Sequence, residues 1–189
     1  MSDDLKSLKD EELVGLFKSG NQPAFDELYI RYAPRLKKLI YYHLGDADES
    51  NDVLHDVFIR VYRHIDSFKT DLAFSSWVYR IAINCTKNYW KKNVRKEEIL
   101  EREMEGFDDK IKDLSPEDLL IRKMDMAEFY NAINQLKDKF KTVFLLRFED
   151  RLQYSDIAQM VKCSERTAKW RMQKAIEKIV DYLKEKGII

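Results

Sequence analysis

Apolar residues recur at helical spacing over five stretches of the chain, about 10–44, 50–65, 73–93, 117–135 and 137 to the end, and no stretch alternates with the period of two that marks a strand. Punctuation falls where helices should break, at Gly20 with Pro23, at Gly45, and at Ser67 to Thr70. Ser115-Pro116-Glu117 has the form of an N-cap followed by proline at the first helical position. Residues 97–116 hold Gly106 and few apolar side chains, the pattern of a linker. The prediction is therefore an all-α fold: a helical domain over 1–95, an acidic linker over 96–116 and a second helical domain over 117–189. Composition agrees, since 5 glycines and 3 prolines in 189 residues leave little for the turns of an all-β fold, while 44% hydrophobic residues can fill a core.

On the helix from 50 to 65, Val53, Leu54, Val57, Phe58, Val61, Tyr62 and Ile65 share one broad face, with Ser50 or Asn51 placed to cap its start. Ile59 projects opposite that face among Asp52, Asp56, Arg60 and Arg63. It is either a hot spot for a partner protein or one of the single apolar side chains common on surfaces. The next helix has Phe74, Trp77, Val78, Ile81 and Cys85 inward, and Arg80, Asn84, Lys87 and Lys91 outward, flanked by Tyr79 and Trp90. Cations and amides beside exposed rings suit unpaired DNA, because cations follow phosphates and a flat ring stacks on a base. The alternative is that the rings complete a core and the lysines are solvated.

From Tyr154 to Met172 the pattern is helix-turn-helix. Small Ala158 lets two helices approach, Val161 closes the first helix's apolar side and Ser164 can cap the second. Ala168, Met172, Ala175, Ile176, Ile179 and Leu183 face inward on that second helix. Arg166, Trp170, Gln173 and Lys174 point the other way, with Thr167, Lys169, Arg171 and Lys178 on the flanks. A recognition helix needs this arrangement: central side chains for base edges in the major groove and flanking cations for phosphates.

Charge distribution sharpens the picture. Net charge is zero, 34 basic against 34 acidic residues, yet residues 72–96 carry six basic side chains and no acid, residues 97–118 have a net charge of −7, and 136–189 have a net charge of +5. Two basic blocks around an acidic one suggest two anion-binding modules joined by a segment that another basic surface could hold. Cys85 and Cys163 lie far apart with no histidine or second cysteine near either, so no metal-ligand spacing and no disulfide are expected. His43, His55 and His64 make no metal site: His55 and His64 are out of phase on one helix, and Gly45 separates His43 from it. No glycine-rich phosphate loop and no nucleophile-base-acid set is present, so neither a cofactor nor catalysis is expected. Without a membrane span or a signal pattern, the sequence points to the cytosol.

Taken together, these residues resemble the bacterial sigma-70 family, specifically the small extracytoplasmic function (ECF) sigma factors with only the second and fourth conserved regions. The likeness is carried by Asp52-Val-Leu-His-Asp-Val-Phe-Ile-Arg-Val-Tyr-Arg63, by Asp66-Ser-Phe-Lys69 with Phe74-Ser-Ser-Trp-Val-Tyr-Arg-Ile-Ala-Ile-Asn84, and by Leu152-Gln-Tyr-Ser-Asp-Ile-Ala158 with Thr167-Ala-Lys-Trp-Arg171. It implies that Asp52, Asp56, Ile59, Arg60 and Arg63 dock on a coiled coil of the largest subunit of core RNA polymerase, whose flap is a further contact. It implies a loop over 67–72, with Ser67, Phe68, Lys69 and Thr70, that captures a flipped non-template base. It further implies that Asn84, Lys87 and Asn88 meet the minus-ten DNA, on the same helix where the pattern of cations and rings sets Tyr79, Arg80, Trp90 and Lys91 as candidates for unpaired DNA. Lys169, Trp170, Gln173 and Lys174 match the family's minus-thirty-five contacts, with Arg166, Thr167, Arg171 and Lys178 beside them. Trp170 departs from the small residue expected there, and its ring would pack on a sugar or thymine methyl. The resemblance further implies promoter DNA and an anti-sigma factor as partners, and a linker that threads polymerase channels shaped for RNA. The competing reading is a helix-turn-helix regulator that binds DNA without polymerase. It has no use for the basic, aromatic block at 74–91.

Overall fold

Gly20 and Gly45 both adopt positive φ, +95° and +78°, and each closes the helical stretch before it. The computed structural model describes residues 2–69, 73–93 and 126–188. Its helices are α1 (Ser2–Ser7), α2 (Asp10–Lys18), α3 (Gln22–Leu44), α4 (Ala47–His64), α5 (Phe74–Asn93), α6 (Met126–Asn134), α7 (Asp138–Phe148), α8 (Tyr154–Val161) and α9 (Glu165–Glu185), with a short 3-10 turn at Ile65–Ser67. The expected linker, its Ser115-Pro116-Glu117 cap and Thr70 lie outside the described residues. The chain divides into two units, one within 1–92 and the other within 93–189.

In the first unit α3 continues through Pro34 and ends at Gly45, whose N–H donates to the Tyr41 carbonyl. The cap of α4 differs from expectation. Asp46, not Ser50 or Asn51, accepts from the N–H groups of Asp48 and Glu49, each at 2.9 Å, and Ser50 is buried inside the helix. The carboxylate at the positive end of α4 is the stronger cap. Leu13, Leu28, Leu36, Ile40, Val57, Val61, Phe74, Val78 and Tyr79 form the core. Burial of each large apolar side chain contributes roughly 1.5–3 kcal/mol.

Helix α2 is tied down on several sides. Asp10 receives the Arg31 guanidinium at 2.8 Å and a short hydrogen bond from the Tyr32 hydroxyl. Burial, then the Asp10 carboxylate, push the Tyr32 phenol well above its ordinary pKa. Arg31 also donates to the carbonyls of Leu5, Lys6 and Leu8, which fastens the end of α1 to α3.

In the second unit α7 is buried along seven consecutive residues, Phe140 to Leu146, so it is the central helix about which the others pack. Lys141 lies within that run. Its Nζ donates to Asn134 Oδ1 at 3.2 Å, and burial lowers its pKa while Asp138 opposes the shift. Helices α8 and α9 meet through a turn in which Lys162 takes a left-handed conformation. Ser164 caps α9, its Oγ accepting from the Thr167 N–H at 3.0 Å. Ala168, Met172, Ala175, Ile179 and Leu183 are buried, the face that the helical period marked.

Candidate nucleic-acid interfaces

The first candidate surface is on α4. Asp52, Asp56, Arg60 and Arg63 are exposed on the side away from Val53, Val57 and Val61, while Ile59 among them is partly covered. Tyr62, expected in the core, is 51% exposed. Its ring leans on Phe17 and Phe25 with centroids 5.3 and 5.4 Å away, so it roofs the α2–α3 junction and leaves one face to solvent. Tyr29 is also exposed and packs on Phe58 at 4.5 Å. The residues read from sequence as a docking face do not include these two exposed rings. A period of 3.6 marks where a face is centred, and Tyr62 sits at its edge.

The second surface begins where α4 ends. Ser67 Oγ donates to the His64 carbonyl at 2.6 Å, and Lys69 is exposed. Phe68, expected to take part in melting, is buried at 3% exposure, with its ring 5.6 Å from Phe74 and 5.4 Å from Trp77. It anchors the segment from below, so its side chain is unavailable to DNA. On α5, Asn84, Lys87, Asn88, Trp90 and Lys91 are exposed and Arg80 is half-buried beside them. No acidic residue occurs in this helix, so its outer face carries only positive and neutral groups.

Tyr79 is a second correction. It is 1% exposed and packs against Tyr32 with ring centroids 6.4 Å apart, so it belongs to the core and cannot stack on a base. Trp77, read as inward, is the half-exposed ring. The buried face of α5 is rotated from Trp77 toward Tyr79, with Ala82, Ile83 and Thr86 buried alongside Val78 and Cys85. Burial raises the pKa of the Cys85 thiol; Arg60 opposes the shift and Asp56 adds to it.

The third surface lies on α9. Arg166, Gln173 and Lys178 are exposed, and Thr167, Lys169, Trp170, Arg171 and Lys174 are half-covered. Trp170, placed by the helical wheel at the centre of the outer face, folds back against Phe140 of α7, ring centroids 5.8 Å apart. Large ring area is drawn toward the nearest apolar wall. Lys169 pairs with Glu165 at 3.0 Å and Lys174 with Glu177 at 2.7 Å. Both pairs are surface pairs, worth about 0–1 kcal/mol, so either lysine can be drawn to a phosphate or base at little cost. Among the described residues no group of three or more His, Cys, Asp or Glu could hold a metal, and no helix is long and apolar enough to cross a membrane.

A four-helix scaffold bearing a basic helix, together with a capped helix-turn-helix on a second unit, defines a two-module all-helical protein with a basic helix in one module and a helix-turn-helix in the other. Residues 28–96 match sigma-70 region 2 and residues 126–179 match sigma-70 region 4. The RNA polymerase sigma-H factor of Pseudomonas aeruginosa is 34% identical, over 90% of this chain and 92% of its own. The ECF RNA polymerase sigma-E factor of Escherichia coli K12 is 32% identical, over 92% and 94%. Among solved structures, CnrH in complex with the cytosolic domain of CnrY superimposes with a TM-score of 0.70 at 20% identity, over 93% of this chain and 97% of that one. The sigma factor RpoE of Bartonella quintana, in complex with the anti-sigma factor NepR, does so with 0.64 at 18% identity, over 85% and 96%. The chain belongs to the sigma-70 family, in its ECF branch. It is a sigma factor, a protein that binds core RNA polymerase and directs transcription, and it is not itself an enzyme.

Proposed function

We propose that the outward face of α4, with Asp52, Asp56, Ile59, Arg60 and Arg63, docks on the coiled coil of the largest polymerase subunit, and that the second unit meets the flap. The segment after α4, with Ser67, Lys69 and Thr70, and the α5 residues Arg80, Asn84, Lys87, Asn88, Trp90 and Lys91 engage the minus-ten element. Arg166, Thr167, Lys169, Arg171, Gln173, Lys174 and Lys178 of α9 engage the minus-thirty-five element. Domains at 1–95 and 117–189 with a linker over 96–116 give these readers room to reach two separated promoter elements, in the cytoplasm where polymerase and promoter meet. An anti-sigma factor that covers the polymerase and DNA faces is the regulator; in support, the structurally similar Bartonella quintana factor is solved in complex with the anti-sigma factor NepR.

The observation that carries the reading is the acid-free outer face of α5. A regulator acting without polymerase needs the helix-turn-helix but has no use for a second cationic helix with an exposed Trp90. Run-off transcription on fragmented genomic DNA with core polymerase, with and without the protein, tests it. Defined 5′ ends that depend on the protein support the reading. Retardation of particular fragments by the protein alone, with no dependent start, hands it to the stand-alone regulator.

Lys174→Ala tests the upstream contact. Loss of a bidentate base contact lowers binding to one base-pair identity by about 1–3 kcal/mol. Binding constants for single-base variants of the upstream element measure it. Equal weakening across all of them makes Lys174 a phosphate contact instead.

A further inference from the structure

Helix α2 is short, and both its ends bear on the same stretch of backbone. At its C-terminal end Lys18 Nζ donates to the Phe68 carbonyl at 3.0 Å and the Asp66 carbonyl at 3.3 Å. At its N-terminal end Glu11 Oε1 accepts from the N–H of Phe74, the first residue of α5, at 3.1 Å. The ammonium thus sits at the C-terminal end of α4 and its 3-10 turn, and the carboxylate at the N-terminal end of α5. Each charge complements the partial charge of the helix end it meets.

The helix that carries these two groups is itself held. Asp10 takes the bonds from Arg31 and Tyr32 of α3, and Phe17 packs on Phe25 of α3 with centroids 4.9 Å apart. Phe68 is sunk against Phe74 and Trp77. The backbone leaving Phe68 and the backbone entering Phe74 are therefore referred to one rigid element.

We propose that Lys18 and Glu11 are positioning residues for strand separation, fixing the backbone at Phe68 and at Phe74, the two points between which the unpaired base is received. This deepens the sigma-factor reading and rests on it. Neither residue touches DNA. Their contribution is preorganisation: a segment fixed at both ends loses less conformational freedom when it receives a base, so more of the capture free energy goes into unpairing the duplex. Polymerase docking and upstream reading, which use other faces, do not depend on them.

The test uses full-length protein assembled with core polymerase. Lys18→Met keeps the aliphatic stem and removes the charge, and Glu11→Ala removes the acceptor. Lys18→Arg and Glu11→Gln keep a donor and an acceptor respectively. Opening is followed by the time course of permanganate reactivity on a duplex promoter and, in parallel, by transcription from the same promoter made non-complementary across the minus-ten element. Lys18→Met and Glu11→Ala are each expected to slow opening of the duplex roughly tenfold, the scale of one hydrogen bond to a charged group. Lys18→Arg opens it close to the unsubstituted rate, Glu11→Gln, which keeps the acceptor but not the charge, opens it faster than Glu11→Ala, and all four transcribe normally from the non-complementary template. Unchanged opening by Lys18→Met and Glu11→Ala overturns the proposal. So does an equal loss on both templates, which a merely structural role would produce. A wild-type holoenzyme that opens no promoter overturns the sigma-factor reading and this inference with it, whereas wild-type opening matched by the variants overturns this inference alone.

Discussion

Tyr79→Ala destabilises the first unit by about 3–5 kcal/mol, the range for deleting a fully buried aromatic side chain. Tyr79 is among the largest fully buried side chains, and its ring lies between α5 and Tyr32 of α3. Truncation leaves a cavity at the seam that holds the basic helix against the scaffold. Hydrogen exchange of α5 amides in the full-length protein measures the effect: protection should fall by that amount along α5 and stay unchanged in α7 and α9. Trp90→Ala is the contrast, because Trp90 is 40% exposed. Its exchange should match the unsubstituted protein, and only strand opening should slow if the ring stacks on a base. Unaltered α5 protection in Tyr79→Ala would show that the ring does not support the core.

Ile59→Asp is expected to weaken core-polymerase binding by at least about 2 kcal/mol, roughly thirtyfold, as for a buried interface hot spot. Ile59 is only partly covered in the free chain, and the residues around it, Asp52, Asp56, Arg60 and Arg63, are exposed and charged. Burying an unpaired carboxylate against a partner costs far more than leaving it in water. The α4 core at Val53, Val57 and Val61 is on the opposite side and is untouched. Titration of labelled protein with core polymerase reads the loss, and circular dichroism checks that helix content is retained. Normal holoenzyme assembly would rule out the docking role of Ile59.

Both predictions turn on burial, which the sequence reports unevenly. The helical period separated the two sides of α4 and of α9, so Val57, Val61, Ala168, Met172 and Ala175 were legible as core. It did less well at the edges of faces. Trp77 and Tyr79 are two residues apart on α5, and the period alone put Trp77 inside; the position of Tyr32 and Phe74 drew the buried face toward Tyr79. Phe68 is in a segment without helical period, so nothing local marked it as an anchor. Trp170 stands opposite the apolar face of α9, yet Phe140, thirty positions earlier in the chain, supplies a wall for its ring.

Caps divide the same way. Ser164 was readable because its partner, the Thr167 N–H, is three residues on. Asp46 competed with Ser50 and Asn51 for the start of α4, and Ser50 lost because its position falls on the buried side.

The amino-acid order by itself determined the helical class, the two groups of helices, the acid-free basic helix and the capped helix-turn-helix, because hydrophobic period, N-caps and charge runs act between residues a few positions apart. Tertiary structure alone decided which rings are sunk and which are presented, and it brought Lys18 to the carbonyls of Asp66 and Phe68 and Glu11 to the N–H of Phe74. Those contacts join residues some fifty to sixty positions apart, and no local pattern encodes them; they exist because packing α2 on α3 sets its charged ends beside the ends of α4 and α5.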